Sequence, residues 1–356
     1  MQTPIISGIQ QIGVGIPDVY AAFKFYRQTY GLDIPIFDEA AEANLMLPYT
    51  GGEPRSRHAI LAINMQGGGG LEIWQYTSRV PQPPAEPVLF GDLGILHARI
   101  KSTKVTAAYQ WLNYKKVKLH GKVLTRPDGA QHCYSSDPYG NIFDIVPSDN
   151  WFSSGKFLTG GIYGATIGVR DVDTSIRFYR EILGYDEVVY DVSGTFDDFA
   201  PLPGGQHRFR RALLRHKAAR IGSFSRMLGA GEIELVSVLD RTPKSIFENR
   251  FWGDLGFIHL CFDINGMAAM RDKCAAAGHP FTVDSSADRE TFDMGEAAGN
   301  FSYIEDPDGT LIEFVETHKV PILKKFNWYL DLRKRDPQQS LPNWMLKAMA
   351  LGRVKD

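Results

Sequence analysis

Short apolar runs of strand length alternate along this chain with amphipathic stretches of helical length. Residues 9–16 are typical of a strand, Asp18 is typical of a helix N-cap, and aromatic side chains then recur at helical spacing until Gly31. The same pattern, including the triplet Phe-Tyr-Arg, returns 153 residues later within residues 165–184. A pattern that returns at this distance indicates an internal repeat.

Each half divides again into the same unit of one strand, one helix and three more strands. A strand at 94–100 precedes a helical stretch at 103–115, and a strand at 256–263 precedes a helical stretch at 267–278. We therefore predict an α+β fold with four such modules. The offset between the halves grows from 153 to 162 residues, which places about nine extra residues in loops near 193–207.

The repeat predicts two domains of two modules each, residues 1–155 and 156–318. A basic tail, 319–356, falls outside the repeat, and residues 344–351 within it are typical of an amphipathic helix. Two interpretations of the tail stay open. It packs on the body of the protein through its aromatic residues, or it anchors the chain to a membrane or a partner.

Composition limits the classes of function. The chain has 356 residues, of which 44% are apolar, and a net charge of -2, so a large core is available and nucleic acid is not expected as a partner. No apolar run is long enough to span a bilayer, and the start lacks the features of a signal peptide. We expect a cytoplasmic protein with three free cysteines, a small-molecule substrate, and a monomeric or homodimeric state.

Histidine and carboxylate residues recur at matched positions. The phrase Gly-Asp-Leu-Gly precedes a histidine in both halves, an acid lies 25 residues upstream of each histidine, and another acid follows each Asp-Pro-x-Gly turn. The histidines are His97 and His259, the upstream acids are Glu72 and Glu234, and the downstream acids are Asp144 and Glu313.

The surroundings of Glu72, Glu234 and Glu313 are apolar on both sides, which indicates carboxylates that are buried or line a cavity. Such a carboxylate requires a cation, either a basic side chain or a metal ion. The basic run 207–215 could pair with Glu234, and His132 could approach the site. The repeated combination of acid and histidine favours a metal in at least one half.

These motifs resemble the vicinal oxygen chelate superfamily (glyoxalase/bleomycin resistance protein/extradiol dioxygenase), and the resemblance covers about residues 8–316. It implies a glyoxalase-like fold, in which βαβββ modules pair into two cupped mixed sheets. Each cup would hold one divalent metal, with ligands from the first and last strands of its modules. We expect module one to pair with two and three with four, although a swapped pairing is known in the family and would mix the ligands.

The resemblance also implies the ligands. They are Gln11, Glu72, His97 and Asp144 in the first half, and Glu234, His259 and Glu313 in the second, where Gly164 leaves the fourth position open. Such oxygen-rich sets suit one or two divalent ions among Zn²⁺, Ni²⁺, Mn²⁺, Co²⁺ and Fe²⁺.

The number of histidines bears on the reaction. Extradiol dioxygenases use two histidines and one carboxylate on Fe(II), whereas each predicted set here has one histidine. The resemblance therefore implies a metal-dependent isomerase, epimerase or lyase that acts on a small oxygenated substrate through a metal-stabilised enolate. Candidate catalytic bases are Glu72, Asp144, Glu234 and Glu313. An Fe(II) dioxygenase and a metal-free small-molecule binding protein remain as alternatives.

Overall fold

The computed structural model describes residues 3–286, 292–294, 297–323 and 328–355. Its architecture is α+β, with two large mixed sheets and few helices, as the repeat predicts. The described helices span Val19–Tyr30 (α1), Val105–Tyr114 (α2), Val172–Leu183 (α3), Ser225–Leu228 (α4), Met267–Ala276 (α5) and Asn343–Ala348 (α6), with 3₁₀ turns at Leu47–Tyr49, Leu332–Lys334 and Met349–Gly352.

The strands follow the predicted modules. Those of the first half span Ile5–Gly15 (β1), Ile34–Glu42 (β2), Ser56–Ile63 (β3), Gly70–Tyr76 (β4), Gly94–Ser102 (β5), Lys118–Thr125 (β6), Gln131–Ser136 (β7) and Ile142–Pro147 (β8). Those of the second half and the tail span Ile162–Gly168 (β9), Glu187–Gly194 (β10), Phe209–Arg215 (β11), Glu232–Val238 (β12), Gly256–Asn265 (β13), Val283–Asp284 (β14), Phe292–Met294 (β15), Ala297–Glu305 (β16), Leu311–Thr317 (β17), Lys319–Leu323 (β18) and Trp328–Asp331 (β19).

Local sequence explains where the repeated helices begin and end. Asp18 and Asp171 precede α1 and α3, and their carboxylates accept hydrogen bonds from backbone N–H groups of the first turn. Gly31 and Gly184 follow the two helices with φ of 74° and 79°, a left-handed conformation that glycine adopts without a steric penalty. Matching signals thus produce matching helices in both halves.

The two sheets share one arrangement. Among the described residues, the first sheet has the order β14-β16-β17-β13-β1-β4-β3-β2, with β15 on β16, and the second has the order β10-β11-β12-β9-β5-β8-β7-β6. In the first sheet β1 is antiparallel to β13 and parallel to β4, while β13 is parallel to β17. The first and last strands of both modules therefore occupy the four central positions.

The prediction that consecutive modules share a sheet is wrong. Module one pairs with module four through β1 and β13, and module two pairs with module three through β5 and β9. Both pairings bury the same apolar strands, so the strand pattern does not distinguish them. The proline-rich segment 77–93 carries the chain from the first sheet to the second. As folding units, residues 1–155, 156–318 and 319–356 stay predictions.

Consecutive modules nevertheless contact each other through their helices. The tyrosine of each Phe-Tyr-Arg triplet donates a hydrogen bond to the aspartate of an Asp-Pro turn in the next module: Tyr26 to Asp137 at 2.6 Å, and Tyr179 to Asp306 at 3.1 Å. All four residues are buried, and the surrounding apolar side chains of both sheets and helices form one cluster. The repeated motif therefore ties one sheet to the other.

The extra residues of the second half lie elsewhere than predicted. Residues 64–69 join β3 to β4, whereas the longer segment 216–231, which includes α4, joins β11 to β12. The loop 195–208 is similar in length to its counterpart 43–55, so the expected insertion near 193–207 is wrong. The sequence locates the change in offset only to the interval between α3 and Glu234. That interval contains both the loop 195–208 and the segment 216–231.

The C-terminal tail packs against this insertion. Leu341 and Leu346 are buried in an apolar cluster with Met227 and Leu228, whereas Trp344 is 63% exposed. The predicted helix is confirmed as α6 and the 3₁₀ turn after it, and the buried contacts of this segment are aliphatic. The side chain of Trp328, an aromatic residue of the tail, lies outside the described residues. In the described part of the chain, no helix is long and apolar enough to cross a membrane.

Candidate metal centre

The central strands of the first sheet bring four predicted ligands to one face. Gln11 lies on β1, Glu72 on β4, His259 on β13 and Glu313 on β17. Gly13 is the common neighbour, since β1 places it beside Glu72 on one side and His259 on the other. The swapped module pairing therefore combines ligands from the first and last modules, which lie far apart in the sequence.

Three of these side chains form a compact group of ligand atoms. His259 Nε2 lies 3.2 Å from Glu72 Oε2 and 3.1 Å from Glu313 Oε2, and one atom from each residue lies within 4.8 Å of the others. Atoms bound to one metal ion at about 2.0–2.2 Å lie roughly 3 Å apart, and both carboxylate oxygens lie at such a distance from His259 Nε2. Gln11 Nε2 lies 3.4 Å from Glu72 Oε2, which places the amide beside the group.

Several polar atoms here are buried without a hydrogen-bond partner: Gln11 Oε1, both imidazole nitrogens of His259, and Glu313 Oε2. Buried polar atoms are normally paired, so Gln11 Oε1, His259 Nε2 and Glu313 Oε2 fit a bound cation as their common partner. Burial opposes the charged imidazolium, but the Glu313 and Glu72 carboxylates outweigh burial and raise the pKa of His259 to about 9. The cluster thus attracts either a proton or a metal ion.

Two neighbours, Tyr303 and Gly13, shape the cluster. Tyr303 donates a hydrogen bond to Glu313 Oε1 at 2.9 Å and holds that carboxylate in place. Gly13 leaves room for the imidazole of His259, because a Cβ at Gly13 would lie 2.4 Å from Cε1 and 2.8 Å from Nε2. The matching position of the second sheet holds Thr166 beside His97, and this exchange is the sequence signal for Gly13.

A cavity of about 820 Å³ adjoins the cluster. Gln11, Glu72, Glu313 and Tyr303 contribute to its lining, together with apolar residues of the first sheet, the insertion and the tail. Its size lies within the range of about 300–1,000 Å³ that is usual for small-molecule sites. A substrate in this cavity can therefore reach the cluster.

The second sheet brings together the other predicted acids, but basic side chains neutralise them. Glu234 accepts hydrogen bonds from Arg99 and from Arg211, the latter at 2.7 Å. Asp144 lies 2.8 Å from His132 Nδ1 and 3.5 Å from Arg99. The expected ion pair between the run 207–215 and Glu234 is confirmed by Arg211, and His132 does approach the site.

The pKa values agree with a network of fixed charges. Burial opposes ionisation, but Arg211 and Arg99 lower the pKa of Glu234 to about 2. Asp144 and Asp198 raise the pKa of His132 to about 9 against the same opposition. The second sheet therefore holds ionised acids whose counter-charges come from the protein.

His97 does not join this network as a ligand. Its ring stacks on Phe90 with centroids 5.1 Å apart, and burial, which outweighs the nearby Asp144 carboxylate, lowers its pKa to about 3. Among the described residues, His97, Asp144 and Glu234 do not form a group of metal ligands. Their assignment as ligands, and that of Asp144 and Glu234 as bases, gains no support from the geometry.

Arg99 explains the difference between the sheets. It lies two residues after His97, at the position that Cys261 holds after His259. Its guanidinium contacts Glu232 at 2.7 Å as well as Glu234. The guanidinium of Arg99 is thus a permanent cation among the acids of the second sheet, at the place where the first sheet has room for a metal ion. The sequence signal is a basic residue within an apolar strand on the face of the repeated histidine.

Comparisons with known proteins agree with the described fold. A family model described as the Glyoxalase/Bleomycin resistance protein/Dioxygenase superfamily matches residues 161–314, and a search of curated protein sequences finds no match. Glyoxalase I from Zea mays has a similar structure (TM-score 0.53, 13% identity, covering 88% of this chain and 92% of that one). So has a putative dioxygenase from Bacillus subtilis subsp. subtilis str. 168 (TM-score 0.56, 15% identity, covering 88% and 86%).

At these identities the solved structures establish the fold, and the family model covers the third module and most of the fourth. The cupped mixed sheets that the resemblance implies are therefore confirmed. Residues 161–314 match the model of this superfamily, and the chain as a whole shares the fold of these solved structures.

Proposed function

We propose that this chain is a divalent-metal-dependent enzyme that acts as an isomerase, epimerase or lyase on a small oxygenated substrate. The observation that carries the proposal is the convergence of Glu72, His259 and Glu313 beside a ligand-sized cavity. Gln11 would be the fourth ligand. When bound, a divalent ion supplies a Lewis acid that polarises neighbouring oxygens of the substrate.

Three residues hold the metal ion or orient its ligands. His259 and Glu313 occupy adjacent strands and are fully or nearly buried, which restricts their rotamers. Tyr303 adds a hydrogen bond that keeps Glu313 in one orientation. Because Gln11 is uncharged, the cluster keeps a net negative charge of two when His259 is neutral, which matches a divalent cation.

Glu72 is the residue that we assign to proton transfer at the substrate carbon. Its side chain is 11% exposed, against 8% for Glu313. Glu313 already accepts the hydrogen bond of Tyr303, which fixes the orientation of its carboxylate. Glu72 therefore combines the greater exposure to the cavity with freedom from that hydrogen bond.

The donor set bears on the two alternatives. The cluster contains one histidine, whereas Fe(II) oxygenases of the usual type use two histidines and one carboxylate. In the described part of the chain, no arginine or lysine pairs with Glu72 or Glu313, in contrast with Glu234 of the second sheet. The isomerase or lyase class therefore fits the cluster better than dioxygenase chemistry or metal-free binding.

The duplicated frame offers a matched test. We expect wild-type protein to bind one Mn²⁺, Co²⁺, Ni²⁺ or Zn²⁺ per chain in a calorimetric titration. The variant His259→Gln should bind it at least about 100-fold more weakly, while His97→Gln should bind it as wild type does. Equal affinities in both variants, or no divalent ion in the wild type, would overturn the proposal. Oxygen uptake by Fe(II)-loaded protein with a panel of catechols would favour the dioxygenase alternative.

A further inference from the structure

The cavity beside the cluster of metal-ligand side chains is far larger than a small chelating group requires. About 820 Å³ is room for a drug-sized ligand, whereas Gln11, Glu72 and Glu313 account for only a small part of the lining. Most of the other walls are apolar, and they include Ile36, Leu61, Ile63, Met227, Leu228 and Met345. The space is therefore suited to the apolar portion of a molecule.

Two elements that have no counterpart in the other modules build much of this apolar wall. One is the insertion 216–231, which contributes Phe224 beside the two residues of α4 just named. The other is the C-terminal segment 341–352, here called the strap. The strap contributes Leu341, Met345 and Met349, which recur every four residues. Both elements are additions to the duplicated frame, and they meet over the same cavity.

The strap is held at both ends. At its start, the backbone N–H of Leu341 donates to the carbonyl oxygen of Ser223 at 2.8 Å. Just beyond its end, the N–H of Val354 donates to the carbonyl oxygen of Asp33 at 2.9 Å. Between these attachments its methionines are only half-buried, although they face the cavity. Methionine side chains adapt readily to ligands of different shape.

Charge in the lining limits what the ligand carries. Among the described residues that line the cavity, Arg57 is the one cationic side chain, and its guanidinium already pairs with Glu39 at 2.9 Å. The remaining polar lining outside the metal cluster consists mainly of neutral groups such as Gln10, Asn44 and Asn300. A phosphate or another multiply charged group would be buried here without a counter-charge, which is costly.

We infer that the ligand of this site is an uncharged or singly charged amphiphile. Two neighbouring oxygens of this ligand lie at the cluster of metal-ligand side chains, and an extended apolar tail lies beneath the strap. The inference rests on the proposed function for its oxygenated head. Its apolar tail rests on the cavity alone.

A series of n-alkyl hydroxamic acids tests the inference, because each carries the same pair of chelating oxygens and a tail of chosen length. With Mn²⁺-loaded protein, we expect the dissociation constant measured by calorimetry to fall about fourfold for each added methylene. The change from acetohydroxamate to hexanohydroxamate should therefore be on the order of 100-fold. An affinity that does not change with tail length would overturn the inference.

Matched variants of the strap locate the tail. Met345→Asp places a charge in the lining, so it should flatten the dependence of affinity on tail length. Lys347→Asp makes the same substitution on the exposed side of α6 and should behave as wild type. Identical length dependence in both variants would contradict a tail beneath the strap. Should Met345→Asp not fold, the wild-type series still decides.

A failure of the metal proposal is recognisable separately. If no divalent ion binds, the proposed function is wrong, and the tail is then tested on metal-free protein with n-alkanols from butanol to decanol. Affinity that rises with alkanol length supports the apolar chamber, and a flat series overturns it. A phosphorylated alkyl chain that binds more tightly than the hydroxamate of equal length would also contradict the inference, because the lining offers it no free cation.

Discussion

Adding one methyl group at Gly13 should disable the metal centre without replacing any of its ligands. The variant Gly13→Ala places a Cβ 2.4 Å from His259 Cε1, 2.7 Å from Nδ1 and 2.8 Å from Nε2. Ordinary contacts begin near 3.4 Å, so the imidazole must move by about 1 Å or the β1–β13 pair must separate. A metal–ligand bond tolerates a displacement of only about 0.2 Å, and His259 should therefore be lost as a ligand.

The expected magnitude follows from that displacement. Affinity for Mn²⁺ or Zn²⁺ should fall at least about 100-fold, beyond the usual effect of disturbing a residue that only supports a ligand. Overpacking of a buried site also lowers the free energy of unfolding by about 1–3 kcal/mol, which leaves a folded protein for measurement. Loss of metal binding by a protein that remains folded is the signature that distinguishes a displaced ligand from general destabilisation.

Calorimetric titration of the variant measures the affinity, and circular dichroism confirms that it is folded. The control is Gly194→Ala, the same substitution on β10, where a Cβ would meet no atom within 4 Å. This control should bind the ion as wild type does. If Gly13→Ala binds the ion with wild-type affinity, then His259 is not a ligand in the arrangement described here.

Three further predictions concern both sheets. Arg99→Met leaves buried carboxylates without their cation and should lower the free energy of unfolding by about 3–5 kcal/mol in urea titration, where no change would contradict a structural role. The raised pKa of His132, about 9 against 6.5 for the unfolded chain, stabilises the fold fully below pH 6.5. That contribution, about 3 kcal/mol at most, should be lost as pH rises through 9, and a flat profile in a His259→Gln background would refute it. Tyr303→Phe should weaken metal binding about 10–100-fold, and unchanged affinity would show that its hydroxyl does not hold the ligand.

The sequence predicts the modules well because their signals are local. Asp18 and Gly31 cap α1 through contacts within a few residues, and Asp171 and Gly184 do the same for α3. The pairing of modules depends on hydrogen bonds between distant strands such as β1 and β13. Because all four first strands carry the same apolar pattern, no local signal could select the swapped arrangement.

The ligands could be predicted from residue types, but their fate depends on neighbours. Glu72 and Glu234 occupy matched positions with similar sequence surroundings. In the structure, Glu72 faces His259, whereas Glu234 faces the guanidinium groups of two arginines. The distinction follows from Arg99 and Gly13, whose effects appear only when β5 lies beside β9 and β1 beside β13. Burial of a charge is decided by partners that the sequence alone does not place.

The most direct test of the account is the position of bound metal in crystals of Co²⁺-loaded protein. Anomalous scattering should show one ion per chain in the first sheet, about 2.0–2.2 Å from His259 Nε2 and from oxygens of Glu72 and Glu313. It should show none beside Asp144 and Glu234. An ion in the second sheet, or no ion among the three side chains of the first, would contradict the central claim.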